Sequence, residues 1–216
     1  MKQMTTIEST PYLFNNELRQ RCLRGLKSHT PLEAPLEERR PAAVTAVLLP
    51  DEEGRGCFLI TKRATKLRRH SGQWALPGGR LDKDETTQNA ALRELQEEVG
   101  LSLRPEDVLG RLDDYPTRSG FVISPFVVWC PSATELKPDP GEVAAVYKVP
   151  LDVLDGPGVP ILKTIPESKD KVIAIPMLDT EVHAPTAAIL YQLREICLWG
   201  RSTRVAHFEQ PVFAWR

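Results

Sequence analysis

Apolar residues recur along the chain with two different periods. From 12 to 27, in YLFNNELRQRCLRGLK, Phe14, Leu18, Cys22 and Leu26 stand four apart, the stripe of a helix. HTPLEAPLEERRP follows with three prolines and reads as a linker. PAAVTAVLLP is a run of β-branched and apolar residues, DEEGRG a turn, and CFLITKRA a second run. Together they predict a hairpin of buried strands. TKLRRHSGQWALPGG reads as a loop ending in Pro-Gly-Gly. The helical period returns from Thr87 to Val99, with Thr86 or Thr87 as N-cap and Gly100 as C-cap. FVISPFVVWC and VAAVYKVPL are strand-like and flank the turn-rich PSATELKPDPGE. LDGPGVPILKTIPESKDKVIAIPML reads as irregular, with short strands. PTAAILYQLREICLWG predicts a further amphipathic helix with Pro185 at its entrance and Gly200 at its exit.

The order of hairpin, helix, strands and helix is mixed α/β without regular βαβ alternation. The expected division is a helical arm and linker over 1–40, one domain over 41–200, and an aromatic tail over 201–216. A chain of 216 residues has the length of one domain with extensions and can bury a core without staples.

Composition narrows the partners. Lys+Arg 28 against Asp+Glu 29 leaves no net field for nucleic acid or an acidic membrane surface. No apolar run reaches the ~18 residues of a membrane span. Cys22, Cys57, Cys130 and Cys197 are far apart and form no CxxC pair, so reduced thiols in a cytoplasmic compartment are expected rather than a zinc ribbon or disulfide framework. The N-terminus lacks an apolar signal core. His29, His70, His183 and His207 are dispersed, and no nucleophile elbow or Cys/His signature points to covalent catalysis.

The candidate chemistry lies in GGRLDKDETTQNAALRELQEEVGL, residues 78–101. On a helical wheel Ala91, Leu92, Leu95 and Val99 share one face, expected to be core. Glu94 and Glu98 stand i and i+4, with Glu97 beside them. Like charges so placed repel one another unless compensated, and Arg93 compensates in part. Two readings stand: a solvated acidic face, or carboxylates gathered for a hard cation such as Mg²⁺, which bridges carboxylates to substrate phosphates. Gly78 and Gly79 at the entrance permit tight turns and close approach of backbone to a ligand.

The spacing Gly79, five residues, Glu85, seven residues, then Arg93-Glu94-Leu95-Gln96-Glu97-Glu98-Val99-Gly100-Leu101 resembles the Nudix box, G-x5-E-x7-R-E-U-x-E-E-x-G-U with U aliphatic, at every fixed position. The resemblance implies the Nudix fold, an α/β/α sandwich on a mixed sheet. It also implies hydrolysis, dependent on Mg²⁺ or Mn²⁺, of a diphosphate linked to another moiety. Glu94 and Glu98 resemble the principal metal ligands. Glu97 resembles a third ligand or the residue that orders water, and Arg93 the group that holds the cluster together with Glu85. The Gly79 carbonyl is a further candidate for the metal shell.

Upstream, residues 59–79, LITKRATKLRRHSGQWALPGG, resemble the motif L-L-T-x-R-[SA]-x3-R-x3-G-x3-F-P-G-G of the coenzyme A diphosphatase branch, with Ile60 for Leu and Leu76 for Phe. Tyr115-Pro116-Thr117-Arg118-Ser119-Gly120 and Thr186-Ala187-Ala188-Ile189-Leu190 are similar to later parts of that branch. Arg63 and Arg68 are the implied phosphate donors, by their forked guanidinium geometry, and Gly78 and Gly79 line the implied substrate site. The implied partner is a small nucleoside-diphosphate-linked molecule of the coenzyme A type. Pro116, about fifteen residues beyond the box, instead resembles the ADP-ribose branch, and a non-catalytic Nudix binding module is a third reading. Glu142 is a candidate base from a later loop, or a strand-edge carboxylate. Trp74 offers a ring for adenine or for packing. Phe208, Phe213 and Trp215 are expected to pack or to meet a second copy. The stripe on the N-terminal arm leaves a homodimer open.

Overall fold

The computed structural model describes residues 12–64, 72–132 and 135–215. Arg68, with Lys66, Arg69 and His70 of the upstream motif, lies outside them. The first helix, α1 (Asn16–Ser28), is capped by Asn15, whose side chain accepts from Leu18 N–H, and it buries Leu18, Cys22 and Leu26. That is the predicted stripe without its first member. The hairpin follows as β1 (Arg40–Pro50) and β2 (Gly56–Arg63). Short strands β3 (Trp74–Ala75) and β4 (Gly78–Arg80) lead into α2 (Thr87–Val99). Then come β5 (Val108–Arg111), β6 (Tyr115–Pro116), β7 (Phe121–Trp129) and β8 (Val143–Pro150).

These eight strands form one sheet of order β3-β2-β1-β7-β5, with β4 added to β1, β6 to β7 and β8 to β2. β1 and β7 run parallel from Arg40↔Phe121 to Leu48↔Trp129, and the other pairs are antiparallel. The sheet is therefore mixed. It is covered on both faces, because successive residues of a strand point to opposite sides. Val47 and Leu49 of β1 and Cys57 and Leu59 of β2 pack with Leu95 and Val99 of α2. Ala46, Leu48, Phe58 and Ile60 pack the other way, with Leu18 and Leu26 of α1 and the C-terminal helix. The result is an α/β/α sandwich. Full burial of one such Leu or Val side chain contributes roughly 1.5–3 kcal/mol.

The short strands expected in residues 161–183 are present and assemble into a second sheet. β9 (Ile161–Ile165), β10 (Ser168–Met177) and β11 (Thr180–His183) form an antiparallel three-stranded sheet of order β11-β10-β9. The last helix, α3 (Thr186–Leu193), passes into a π-helical turn over Arg194–Leu198. It is not amphipathic: nearly every residue from Thr186 to Leu198 is buried. Its charges face each other instead of water. Arg194 donates to Glu195 Oε1 at 2.8 Å and to the carbonyls of Leu154 and Val159, so the buried pair is also hydrogen-bonded.

Arm and tail fold back onto the sandwich. Asp113 receives Arg204 Nη1 at 2.6 Å and Gln192 Nε2 at 2.7 Å, and lies 3.0 Å from His29 Nε2. One buried carboxylate thus ties the end of α1 to α3 and to the tail. Tyr115 donates its hydroxyl to Phe208 O, and Arg118 N–H donates to Gln210 Oε1. All four cysteines are buried free thiols. No described helix is long and apolar enough to cross a membrane.

Candidate active site

The acidic helix is positioned by its two ends. Thr86 caps it by accepting from Asn89 N–H, worth about 1 kcal/mol, and Gly100 closes it in the left-handed conformation at φ 73°. Ala90, Ala91, Leu95 and Val99 anchor one face in the core, and Leu92 is half-buried. This turns Glu94, Glu97 and Glu98 toward a cavity of about 530 Å³, whose wall also includes Arg63, Gly78, Gly79 and Glu142. Volumes of ~300–1,000 Å³ are those of small-molecule sites.

Glu98 is buried, at 3% exposure. Its Oε2 accepts from Gly78 N–H at 3.0 Å and its Oε1 lies 3.5 Å from Arg63 Nη1. Burial pushes its carboxyl up to about 7; the Gly78 amide and Arg63 oppose the shift, while Glu94 and Glu142 add to it. Burial likewise raises Glu94, against the pull of Arg93 and with the push of Glu97 and Glu142. Arg93 is the hub of the cluster. Its Nε and Nη2 each reach Glu85 at 3.0 Å, and its Nη1 reaches Glu94 at 3.0 Å and Glu97 at 2.9 Å. Nη2 also donates to Arg80 O. That fork holds Glu85 below the ordinary carboxylate range, and the Arg93 guanidinium is raised in turn.

The glycines do different things. A Cβ at Gly78, which has φ 153°, would sit 2.2 Å from Ala43 O on the paired strand. A Cβ at Gly79 would sit 2.4 Å from the Glu94 carboxyl carbon. Close approach here is first of all to the protein's own backbone and carboxylate. Gly78→Ala is accordingly expected to cost about 3 kcal/mol of stability, because backbone cannot yield, read as a fall in Tm. Gly79→Ala should instead displace Glu94 and cost roughly tenfold in turnover with little loss of Tm. Equal losses of Tm in the two variants would contradict this.

Among the described residues, no three His, Cys, Asp or Glu side chains converge into a ready-made cation cage. The donor chemistry nevertheless fits a hard cation. Glu94 and Glu98 are largely dehydrated, and Glu94, Glu97, Glu98 and Glu142 share one wall where each buried carboxyl is pushed up by its acidic neighbours. A divalent ion relieves that repulsion, and oxygen ligands are the ones Mg²⁺ and Mn²⁺ take.

Of the residues read from the sequence, Arg63, Gly78, Gly79, Glu94, Glu97 and Glu98 meet at this cavity. Arg93 stands behind it as a tether. Glu142 lies at the wall, as do Trp74, Thr117, Ser119 and Thr186. Leu76 is in the core, 4% exposed, and Ile60 is fully buried, so both departures from the motif fall on packing positions. Pro116 pairs with Val122 on β7. The sequence reading missed Gln210, Ala214 and Pro185, which also line the cavity. No local pattern marks them.

A family model for the NUDIX domain matches residues 39–173. A protein of Pectobacterium atrosepticum described as uncharacterized Nudix hydrolase NudL is 38% identical over 119 residues, covering 55% of this chain and 61% of its own. The protein of the same description from Cronobacter sakazakii is 40% identical over 117 residues, covering 54% and 59%. The chain thus matches about 60% of the length of these curated relatives. Among solved structures, the Nudix hydrolase RenU of M. smegmatis aligns with a TM-score of 0.50 at 22% identity, over 77% of this chain and 90% of that one, a likeness of fold.

Proposed function

The chain belongs to the Nudix family, and from that premise we propose that it hydrolyses the diphosphate of coenzyme A or its thioesters, giving 3′,5′-ADP and 4′-phosphopantetheine or its acyl form. One observation carries the reading. The segments that resemble the coenzyme A branch are far apart in sequence, yet Arg63, Trp74, Thr117, Ser119 and Thr186 line the same cavity as the box glutamates.

In this reading Glu94 and Glu98 are the principal ligands of Mg²⁺ or Mn²⁺, and Glu97 is a third ligand or orders the attacking water. When bound, the ion supplies positive charge against the diphosphate and a more acidic water. Arg93 keeps Glu85, Glu94 and Glu97 in register. Arg63 and Arg68 donate to phosphate oxygens; the position of Arg63 at the end of β2, on the cavity wall beside Glu98, supports its part in this. Water adds to one phosphorus, the P–O–P bridge breaks, and the water's proton passes to a nearby carboxylate, for which Glu97 and Glu142 are the candidates. The test is product analysis. Mg²⁺-dependent release of 3′,5′-ADP and 4′-phosphopantetheine, identified by mass spectrometry, is expected. AMP and ribose 5-phosphate from ADP-ribose, with coenzyme A untouched, would select the ADP-ribose reading. No cleavage of any diphosphate with either metal, in a protein that still binds one, would select the binding module.

The raised Glu98 carboxyl sets a pH dependence. In the metal-free protein the folded form holds a proton there up to about 7, against an ordinary 4.5. Between those values the native state binds more protons than the unfolded chain, so stability falls as pH rises. Metal binding must displace that proton below about 7. The expected result is Mg²⁺ affinity that drops about tenfold per unit below pH 7 and levels off above it, measured by calorimetry. An affinity flat from pH 5 to 8 would contradict it.

A further inference from the structure

A second cavity of about 540 Å³ adjoins the first. Gln73, Trp74, Pro185, Thr186 and Ala214 line both, so one partition separates them. The partition is built from three distant parts of the chain, and Thr186 Oγ1 donates to Trp74 O across it at 3.3 Å. The far wall comes from the β10–β11 hairpin, and its rim carries two exposed apolar side chains, Leu178 at 37% and Phe213 at 62%. Phe213 stands edge-on to His183 at 5.5 Å. Exposed apolar side chains at the mouth of a cavity mark a place where something apolar docks.

The two cavities differ in charge. The first is lined by the carboxylate cluster together with Arg63, which stands beside Glu98, and Arg80, a place for metal and phosphates. The second has Lys62, 5.4 Å over the Trp74 ring, against Asp179 and Glu181. Burial lowers His183, which keeps it neutral. Glu181 is paired with Lys163, which leaves Lys62 against Asp179 and no surplus of positive charge to hold a phosphate. Gln73, Thr180 and Thr186, set among Trp74, Leu178 and Phe213, suit an uncharged chain that carries amides and methyl groups.

We infer that the substrate lies across the partition, with its diphosphate against the glutamate wall and an uncharged, amide-bearing arm in the second cavity against Trp74, Leu178 and Phe213. This rests on the coenzyme A reading, in which that arm is pantetheine. It assigns substrate selection to residues 178–186 and 213–214, beyond the 39–173 of the family match.

The test is calorimetric binding to the full chain without metal, using coenzyme A and 3′,5′-ADP, its nucleotide half. Coenzyme A should bind about tenfold or more tightly than 3′,5′-ADP, the difference being that of the arm and the second phosphate of the diphosphate together, and variants in the second cavity single out the arm's share. Thr180→Trp, at an exposed position on the rim, should fill the cavity and remove most of that share. Phe213→Ala, which removes one wall, is a second route to the same loss. Equal binding of coenzyme A and 3′,5′-ADP to the unaltered protein would overturn the inference. So would a preference for coenzyme A that survives undiminished in both folded variants, which would leave the substrate reading standing with its arm elsewhere. Binding of ADP-ribose but of neither coenzyme A nor 3′,5′-ADP would remove the substrate reading and the inference together.

Discussion

Glu98→Gln is expected to lower Mg²⁺-dependent turnover by about 10³-fold or more while the protein stays folded. Glutamine keeps the shape of the side chain and can still accept from Gly78 N–H, the 3.0 Å contact that fixes Glu98. What it loses is the charge. Lewis-acid stabilisation is worth several kcal/mol, and each 1.36 kcal/mol is a factor of ten in rate. A buried carboxylate that is costly to ionise is also removed, so the metal-free variant should melt no lower than the parent, and Mg²⁺ should no longer raise its Tm. Turnover within tenfold of the parent would show that Glu98 holds no metal.

Arg93→Lys is expected to cost roughly 10–100-fold in kcat/KM, the usual loss when a group that orients metal ligands is removed, and to weaken Mg²⁺ binding in step. The two arms of the guanidinium do separate work: Nε and Nη2 grip Glu85, and Nη1 sits between Glu94 and Glu97. A lysine amine is a single point with no fork and cannot serve both. Losing charged hydrogen bonds worth about 2 kcal/mol net should lower Tm by about 4–8 °C for a chain of this length. A fall in kcat/KM with unchanged metal affinity would mean that Arg93 touches substrate instead of positioning the glutamates.

The acidic helix was legible because its information is local. Thr86 and Gly100 cap it where the sequence places them, and the glutamate spacing alone brings Glu94 and Glu98 to one face. The burial of Glu98 was not legible, since a wheel cannot say that Gly78 and Arg63 close over it. The sandwich was legible only through the resemblance to the Nudix box, since β1 and β2 are continuous apolar runs, buried on both faces, that meet α2 on one side and α1 on the other. The sheet over 161–183 was legible only as short strands, because β10 begins polar and exposed at Ser168–Lys171 and then runs apolar without a break through Val172–Ile175. No period of two survives in it. The C-terminal helix carries charges in its sequence as an amphipathic helix does, but Arg194 and Glu195 satisfy each other in the interior. Gln210 and Ala214 reach the cavity through the fold of the tail, which Tyr115 and Arg118 fix from about ninety residues away, a relation no pattern in a single sequence carries.

The proposed substrate of these glutamates is a diphosphate of the coenzyme A type. The most direct measurement is the ratio of kcat/KM for coenzyme A to that for ADP-ribose, with both substrates competing in one Mg²⁺ reaction. A ratio of about 100 or more is expected, since a site built for the extra contacts of one substrate rejects another that lacks them by several kcal/mol. A ratio below one would contradict it and assign the cavity to ADP-ribose.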